Sequence, residues 1–138
     1  MSAVDDEPHA VVVEGKGLKV WTVLVNRPDR RNAVNGDTAR KLFKVFTEFE
    51  ADRTACVAVL HGKGGVFCAG ADLMEMSNPL NSNVREIGPM GISRLRLSKP
   101  VIAAVEGFCV AGGLELALWC DMRVAAESST FGVFCRRW

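Results

Sequence analysis

KPVIAAVEGFCVAGGLELALWCD, residues 99–121, is the stretch that decides the fold. Val101 to Val105 is a short continuous apolar run, the pattern of a strand covered on both faces. Gly112 and Gly113 then open Leu114 to Cys120, which consists mostly of good helix formers, and Asp121 to Ala125 returns to a strand-like pattern. Alternation of strand and helix indicates an α/β protein. Neither Ala111 nor Gly112 carries a side-chain oxygen to cap the first-turn amides, so those donors remain free. An uncapped helix start behind a tight glycine turn suits an oxyanion, which gains from the directed amides and from the positive end of the helix dipole. The same two glycines equally suit close packing.

Glu115 falls in the first turn of this helix among Ala111, Leu114, Leu116, Ala117 and Leu118, which predicts partial desolvation of its carboxylate. Burial raises a carboxyl pKa, as a general acid or base working near neutrality requires. A solvated glutamate stabilising a helix N-terminus is the alternative.

Upstream, Ala10 to Val13 and Leu18 to Val25 are rich in β-branched residues and flank Gly15-Lys16-Gly17, which reads as a hairpin. A polar loop, Asn26 to Asn35, leads into Asp37 to Asp52, where Ala39, Leu42, Phe43, Phe46 and Phe49 recur at helical spacing. Cys56 to Leu60 reads as a second strand covered on both faces, ended by the glycines from 62 to 65. Asp72 to Ser98 is mixed, with Asn78-Pro79 and Gly88-Pro89 interrupting any helix.

A chain of 138 residues with 49% hydrophobic and 24% charged residues has the balance of one ordinary globular domain. Its net charge of +1 provides no field to draw in nucleic acid or an anionic membrane. No apolar run approaches the ~20 residues that cross a bilayer, and the acidic opening MSAVDDEPHA resembles no leader. Five cysteines without a CxxC pair point away from a zinc site or a disulfide framework and towards a reducing cytoplasm. The glycines at 64, 65, 70, 112 and 113 fall at strand ends, but neither a Walker pattern nor GxGxxG is present, so a phosphate loop is excluded on spacing.

FCAGADL at 67–73, KPVIAAVEGFCVAGGLELALWCD at 99–121, STFG at 129–132 and NRPDRRNAV at 26–34 together resemble the enoyl-CoA hydratase, or crotonase, family in both order and spacing. The resemblance covers nearly the whole chain. It implies the ClpP/crotonase fold, a repeated strand-strand-helix superhelix in which the amides of Ala71 and Gly112 polarise the thioester carbonyl of an acyl-CoA and stabilise its enolate. Asp29, Arg30, Arg31 and Ala33 would contact the adenine and pantetheine parts of coenzyme A, and Ala71, Asp72 and Leu73 would complete the binding set. Coenzyme A is then part of the substrate, with no separate cofactor and no metal.

In the hydratases of this family two glutamates share the work. Glu115 matches the first, whereas the second position, counted from Phe131-Gly132, is Cys135. A thiol there could donate a proton or act as a nucleophile, although cysteine is more often buried than catalytic. Isomerisation, hydrolysis or another single-carboxylate reaction on an acyl-CoA therefore stands beside hydration, and a non-catalytic CoA-binding subunit stands beside both. Family members are longer than this chain, so the resemblance implies one crotonase-like domain over residues 1–138, matching the family's N-terminal half and incomplete before the C-terminal helices. It also implies a homotrimer or dimer of trimers for a complete chain, with fatty-acid metabolism as the default setting.

Overall fold

The computed structural model describes residues 9–137, so most of the acidic opening segment and Trp138 lie outside the described residues. The predicted hairpin is present: β1 (Val11–Glu14) and β2 (Val20–Val25) pair antiparallel, with Val11 opposite Val25 and Glu14 opposite Thr22. Leu18 lies outside β2 because its N–H closes the turn on the Gly15 carbonyl at 2.9 Å. Gly15 has φ +76°, and a Cβ there would come within 2.3 Å of the Val20 carbonyl oxygen, so only glycine fits this turn.

Helix α1 (Gly36–Ala51) starts one residue before the predicted Asp37, because the Asn35 side chain accepts from the Thr38 N–H and caps it. Its predicted stripe packs inward: Ala39, Leu42, Phe46 and Phe49 are buried, with Phe43 only half-buried at the edge. Phe49 meets Trp21 of β2 at 5.7 Å between ring centroids, and Phe46 meets Trp119 edge-on at 5.1 Å. At the other end of α1, Lys99 Nζ donates to the carbonyls of Phe49 and Asp52, placing a cation at the negative end of the helix dipole.

β3 (Val57–Gly62), β4 (Val101–Val105) and β6 (Met122–Ala125) extend the hairpin into a five-stranded sheet of order β1-β2-β3-β4-β6, parallel from β2 onward. Two expectations for these strands need correction. Gly62 belongs to β3, paired with Val25, and the break comes after it, where Gly64 and Gly65 adopt φ near +86° and +84°. The strands are also not covered on both faces. Ala58, Leu60, Ala103 and Val105 enter the core, while Val59, His61, Ile102 and Ala104 on the opposite face are half-buried.

A second, two-stranded parallel sheet pairs β5 (Phe108–Val110) with β7 (Thr130–Gly132), and α2 (Gly112–Trp119) comes directly after β5. Both strands are three residues long, too short to register as periodicity, and the sequence reading passed over them. Between β3 and β4, residues 72–98 contain neither helix nor strand, as expected. Side-chain amides supply their order: Asn78 Nδ2 donates to the carbonyls of Val34 and Pro89, both at 2.9 Å, and Met90 and Ile92 are buried beneath. Among the described residues, no helix is long and apolar enough to cross a membrane.

Candidate active site

Two arms of similar sequence meet at the site, Phe67-Cys68-Ala69-Gly70-Ala71 and Phe108-Cys109-Val110-Ala111-Gly112. They run parallel where Cys68 pairs with Cys109: the Cys68 N–H donates to Phe108 O, and the Val110 N–H to Cys68 O, both at 3.1 Å. Each arm then turns through a left-handed residue, Gly70 at φ +104° and Ala111 at φ +50°. The next residue in each case is one of the two amides singled out from sequence, Ala71 or Gly112. A Cβ on Gly70 would lie 3.1 Å from the Gly112 nitrogen, so the two turns are in van der Waals contact. Neither the Ala71 nor the Gly112 N–H has an acceptor among the described residues.

The competing roles of the glycine pair divide between its members. A Cβ on Gly113 would fall 2.2 Å from the Cys68 carbonyl oxygen, so this glycine permits the close approach of α2 to the first arm. At Gly112 the nearest atoms belong to the flexible Met90 side chain, and α2 begins with no side-chain cap, as expected.

Of the two readings of Glu115, the exposed position agrees with the solvated glutamate in the first turn and not with the desolvated one. Gly113, Leu116 and Ala117 define the buried face of α2, which leaves Glu115 and Leu118, three residues apart, exposed on the opposite side. The partial burial inferred from apolar neighbours in sequence is absent: Leu116 and Ala117 turn into the core, and Leu118 lies exposed on the same side as Glu115. Cys135, on the short 3-10 turn Phe134–Arg137 after β7, is exposed rather than buried. β7 reaches the second arm through the Ala111 N–H, which donates to Gly132 O at 3.0 Å.

The loop after β2 carries the remaining candidates. Pro28–Arg30 form a 3-10 turn, and Asp29, Arg30 and Arg31 are exposed. A surface cleft of about 570 Å³ runs along Asn26, Arg27, Pro28, Asp29 and Arg30. An equally large cleft beside Phe43, Arg85 and Arg94 contains none of the candidate residues. Ala33, by contrast, is buried, and its carbonyl accepts from Arg27 Nη1 at 2.5 Å. Leu73 is 82% exposed, whereas the adjacent Asp72 is buried.

Sequence reading missed Arg27 and Asn32. The Arg27 guanidinium is buried, and Nη1 also reaches Asp72 Oδ2 at 3.0 Å, 45 positions along the chain. Burial alone would raise the Asp72 carboxyl. The Arg27 hydrogen bond, the Met74 N–H and the charges of Arg27 and Arg30 outweigh it and hold the carboxyl below the ordinary aspartate range. Asn32, at φ +55°, accepts from the Arg27 N–H and donates to the carbonyls of Lys63 and Val66, which fixes the loop against the end of β3. The loop joins the first arm around Ala71: the Val34 N–H donates to Gly70 O at 2.8 Å, and the Asp72 N–H to Val34 O at 3.0 Å. One arginine in a polar loop carries no sign of burial in a single sequence, and its partner is too distant for any local pattern to reveal.

The sequence profile of the enoyl-CoA hydratase/isomerase family matches residues 15–135. Mevalonyl-coenzyme A hydratase of Aspergillus fumigatus is 41% identical over 83% of this chain and 44% of its own length. The short-chain-enoyl-CoA hydratase of Clostridium acetobutylicum is 40% identical over 91% of this chain and 50% of its own. Among solved structures, an enoyl-CoA hydratase from Mycobacterium tuberculosis superposes with a TM-score of 0.82 at 40% identity, covering 93% of this chain and 50% of that one. The chain thus spans about half the length of the relatives it matches. Its sequence and its α/β fold both place it in the enoyl-CoA hydratase/isomerase, or crotonase, family.

Proposed function

We propose that this chain binds an acyl-CoA thioester and activates it for hydration of a 2-enoyl-CoA, with the amides of Ala71 and Gly112 as the oxyanion hole. The observation that carries this reading is the pair of unpartnered amides on touching left-handed turns. As water adds to C3 of the enoyl group, an electron pair moves onto the thioester oxygen, and two fixed donors stabilise the enolate more than the substrate. Glu115 takes the proton from water as the O–C3 bond forms and returns one to C2, so one carboxylate balances the reaction. Addition of water to a double bond is redox-neutral and calls for neither a metal nor a separate cofactor. Exposed Arg30 and Arg31 beside the cleft of the first loop meet the coenzyme A phosphates. Homotrimeric assembly in the cytoplasm belongs to the same proposal. Its support is the exposed apolar surface of Leu118, Met122, Val124 and Phe134, together with five unpaired cysteines.

The test is hydration of a short enoyl-CoA, monitored by loss of the conjugated thioester absorbance. Glu115→Gln is expected to lower kcat by about 10²–10⁴-fold, and an unchanged rate would remove Glu115 from the mechanism. The exposure of Glu115 and the cysteine at position 135 favour one further reading, thioester binding without turnover. Calorimetric binding of an acyl-CoA with no hydration, and hydration appearing in Cys135→Glu, would select it. Absence of binding to any acyl-CoA would overturn both.

A further inference from the structure

Nothing in the hydration chemistry uses the most deeply buried ion pair of the site. Arg27 and Asp72 expose 3% and 5% of their side chains, and burying two charges is costly unless their geometry is well satisfied. Here it is satisfied. Asp72 accepts from Arg27 on Oδ2 and from the Met74 N–H on Oδ1, and Arg27 Nη1 also holds the Ala33 carbonyl. The pair brackets a single short bridge, in which Val34 is hydrogen-bonded to Gly70 and Asp72, the residues on either side of Ala71. Ala33, Val34, Gly70, Ala71 and Asp72 are thereby clamped at both ends, while the Ala71 N–H stays out of the bridge.

Building on the acyl-CoA reading above, we propose that Arg27 is a positioning residue that acts through Asp72 to hold the Ala71 amide against the Gly112 turn. It also links the loop carrying Asp29, Arg30 and Arg31 to the oxyanion arm, so seating of coenzyme A and aim of the amide share one fastening. The fastening matters because an oxyanion donor works only when held in place before the charge develops. The residues just beyond Asp72 do not supply a substitute: Glu75 and Ser77 bond within their own segment or to the start of α1, and Leu73 is exposed.

The test uses the full chain with two substitution schemes. Arg27→Met alone leaves the Asp72 charge buried and is expected to unfold the protein. The double variant Arg27→Met/Asp72→Leu removes both charges together, which keeps a folded protein within reach. In the double variant kcat for enoyl-CoA hydration should fall at least 30-fold, with a smaller change in KM, and Arg27→Lys should recover part of kcat by restoring a cation. A readout independent of turnover is amide hydrogen exchange. Protection of the Val34 and Asp72 amides should fall tenfold or more in the double variant, while the β2 and β3 amides keep theirs. A merely structural role would lower protection across the sheet as a whole, and that outcome overturns the proposal. So does undiminished protection at Val34 and Asp72, or an unchanged kcat. If the wild-type chain hydrates nothing but protection is lost locally, the positioning role stands and the hydratase reading fails.

Discussion

The two arms of the site present the same chemical group by different physical means. In the first arm the residue before the free amide is Gly70, relaxed at φ +104°, and the Ala71–Asp72 segment after it is fixed by polar contacts, namely the Arg27–Asp72 pair and the bridge to Val34. In the second arm the corresponding residue is Ala111 at φ +50° and ψ −125°, a conformation that costs an L-residue of order 1–3 kcal/mol. No ion pair among the described residues holds it. Besides the Ala111 N–H bond to Gly132 O, packing does, through Gly113 pressed onto the Cys68 carbonyl and through Leu116 and Ala117 in the core. The first arm pairs an unstrained turn with a polar clamp, and the second holds a strained turn with a helix whose inner face is buried. A directed backbone amide therefore does not need one particular support, but each support leaves a different weakness.

Exchanging the turn residues tests that contrast most severely. Gly70→Ala places a Cβ at 3.0 Å from Ala111 Cβ and 3.1 Å from the Gly112 nitrogen, on a backbone that disfavours side chains. The turns must separate, and on the proposed oxyanion role kcat for enoyl-CoA hydration should fall by about 10²–10³-fold, the cost of losing one such donor. Steady-state kinetics with an enoyl-CoA would show it. A fully active Gly70→Ala enzyme would mean that contact between the turns is irrelevant. The converse change, Ala111→Gly, relieves strain at the price of unfolded-state entropy. Its expected result is a net gain of about 1 kcal/mol, seen as a thermal midpoint a few degrees higher. A lowered midpoint would show that Ala111 is not strained.

These residues also mark where sequence stops being informative. The α1 stripe was legible from its helical periodicity, and Ala39, Leu42, Phe46 and Phe49 are all buried as their spacing requires; the hairpin and the parallel strands were legible as β-branched or apolar runs, which located them without showing which face is covered. The free amide of Gly112 was legible from a missing cap. The direction of Glu115 was not, since eight helical residues with mostly apolar side chains carry almost no amphipathic signal to say which side faces out. Arg27 was invisible for a different reason. A buried arginine is defined by its partner, and Asp72 becomes a neighbour only once β2, β3 and both loops are in place.

Acid should separate the arms by a smaller margin. The folded pKa of Asp72 is lowered, so its contribution to stability is complete above the unfolded value of about 3.9 and is lost as pH falls through the lower folded value. Glu48, through its Lys16 hydrogen bond, and Glu50, through hydrogen bonds from Ser98, are also held low, so global acid unfolding reports all three carboxyls. Local exchange distinguishes them. Below a pH of about 4 the Asp72 and Val34 amides should lose protection before those of α2, and equal loss in both arms would break the contrast.

Cysteine labelling sharpens the contrast further without touching activity, because Cys68 and Cys109 occupy equivalent places in the two arms. Burial pushes their thiols up to about 12 and about 11, and that of Cys120 to about 12, whereas Cys56 and Cys135 are exposed. The thiolate is the reactive species, so neutral iodoacetamide should modify Cys56 and Cys135 and spare the three buried cysteines. With denaturant well below the unfolding midpoint, the arm that opens more readily exposes its thiol first. Cys109 should be labelled ahead of Cys68, since its arm lacks the Arg27–Asp72 clamp and its sheet partner β7 lies at the surface. Mass spectrometry of the labelled peptides would order them. Cys68 reacting first, or both together, would mean that the Cys68–Cys109 bridge fuses the arms into one unit and that the Arg27–Asp72 clamp gives the first arm no separate stability.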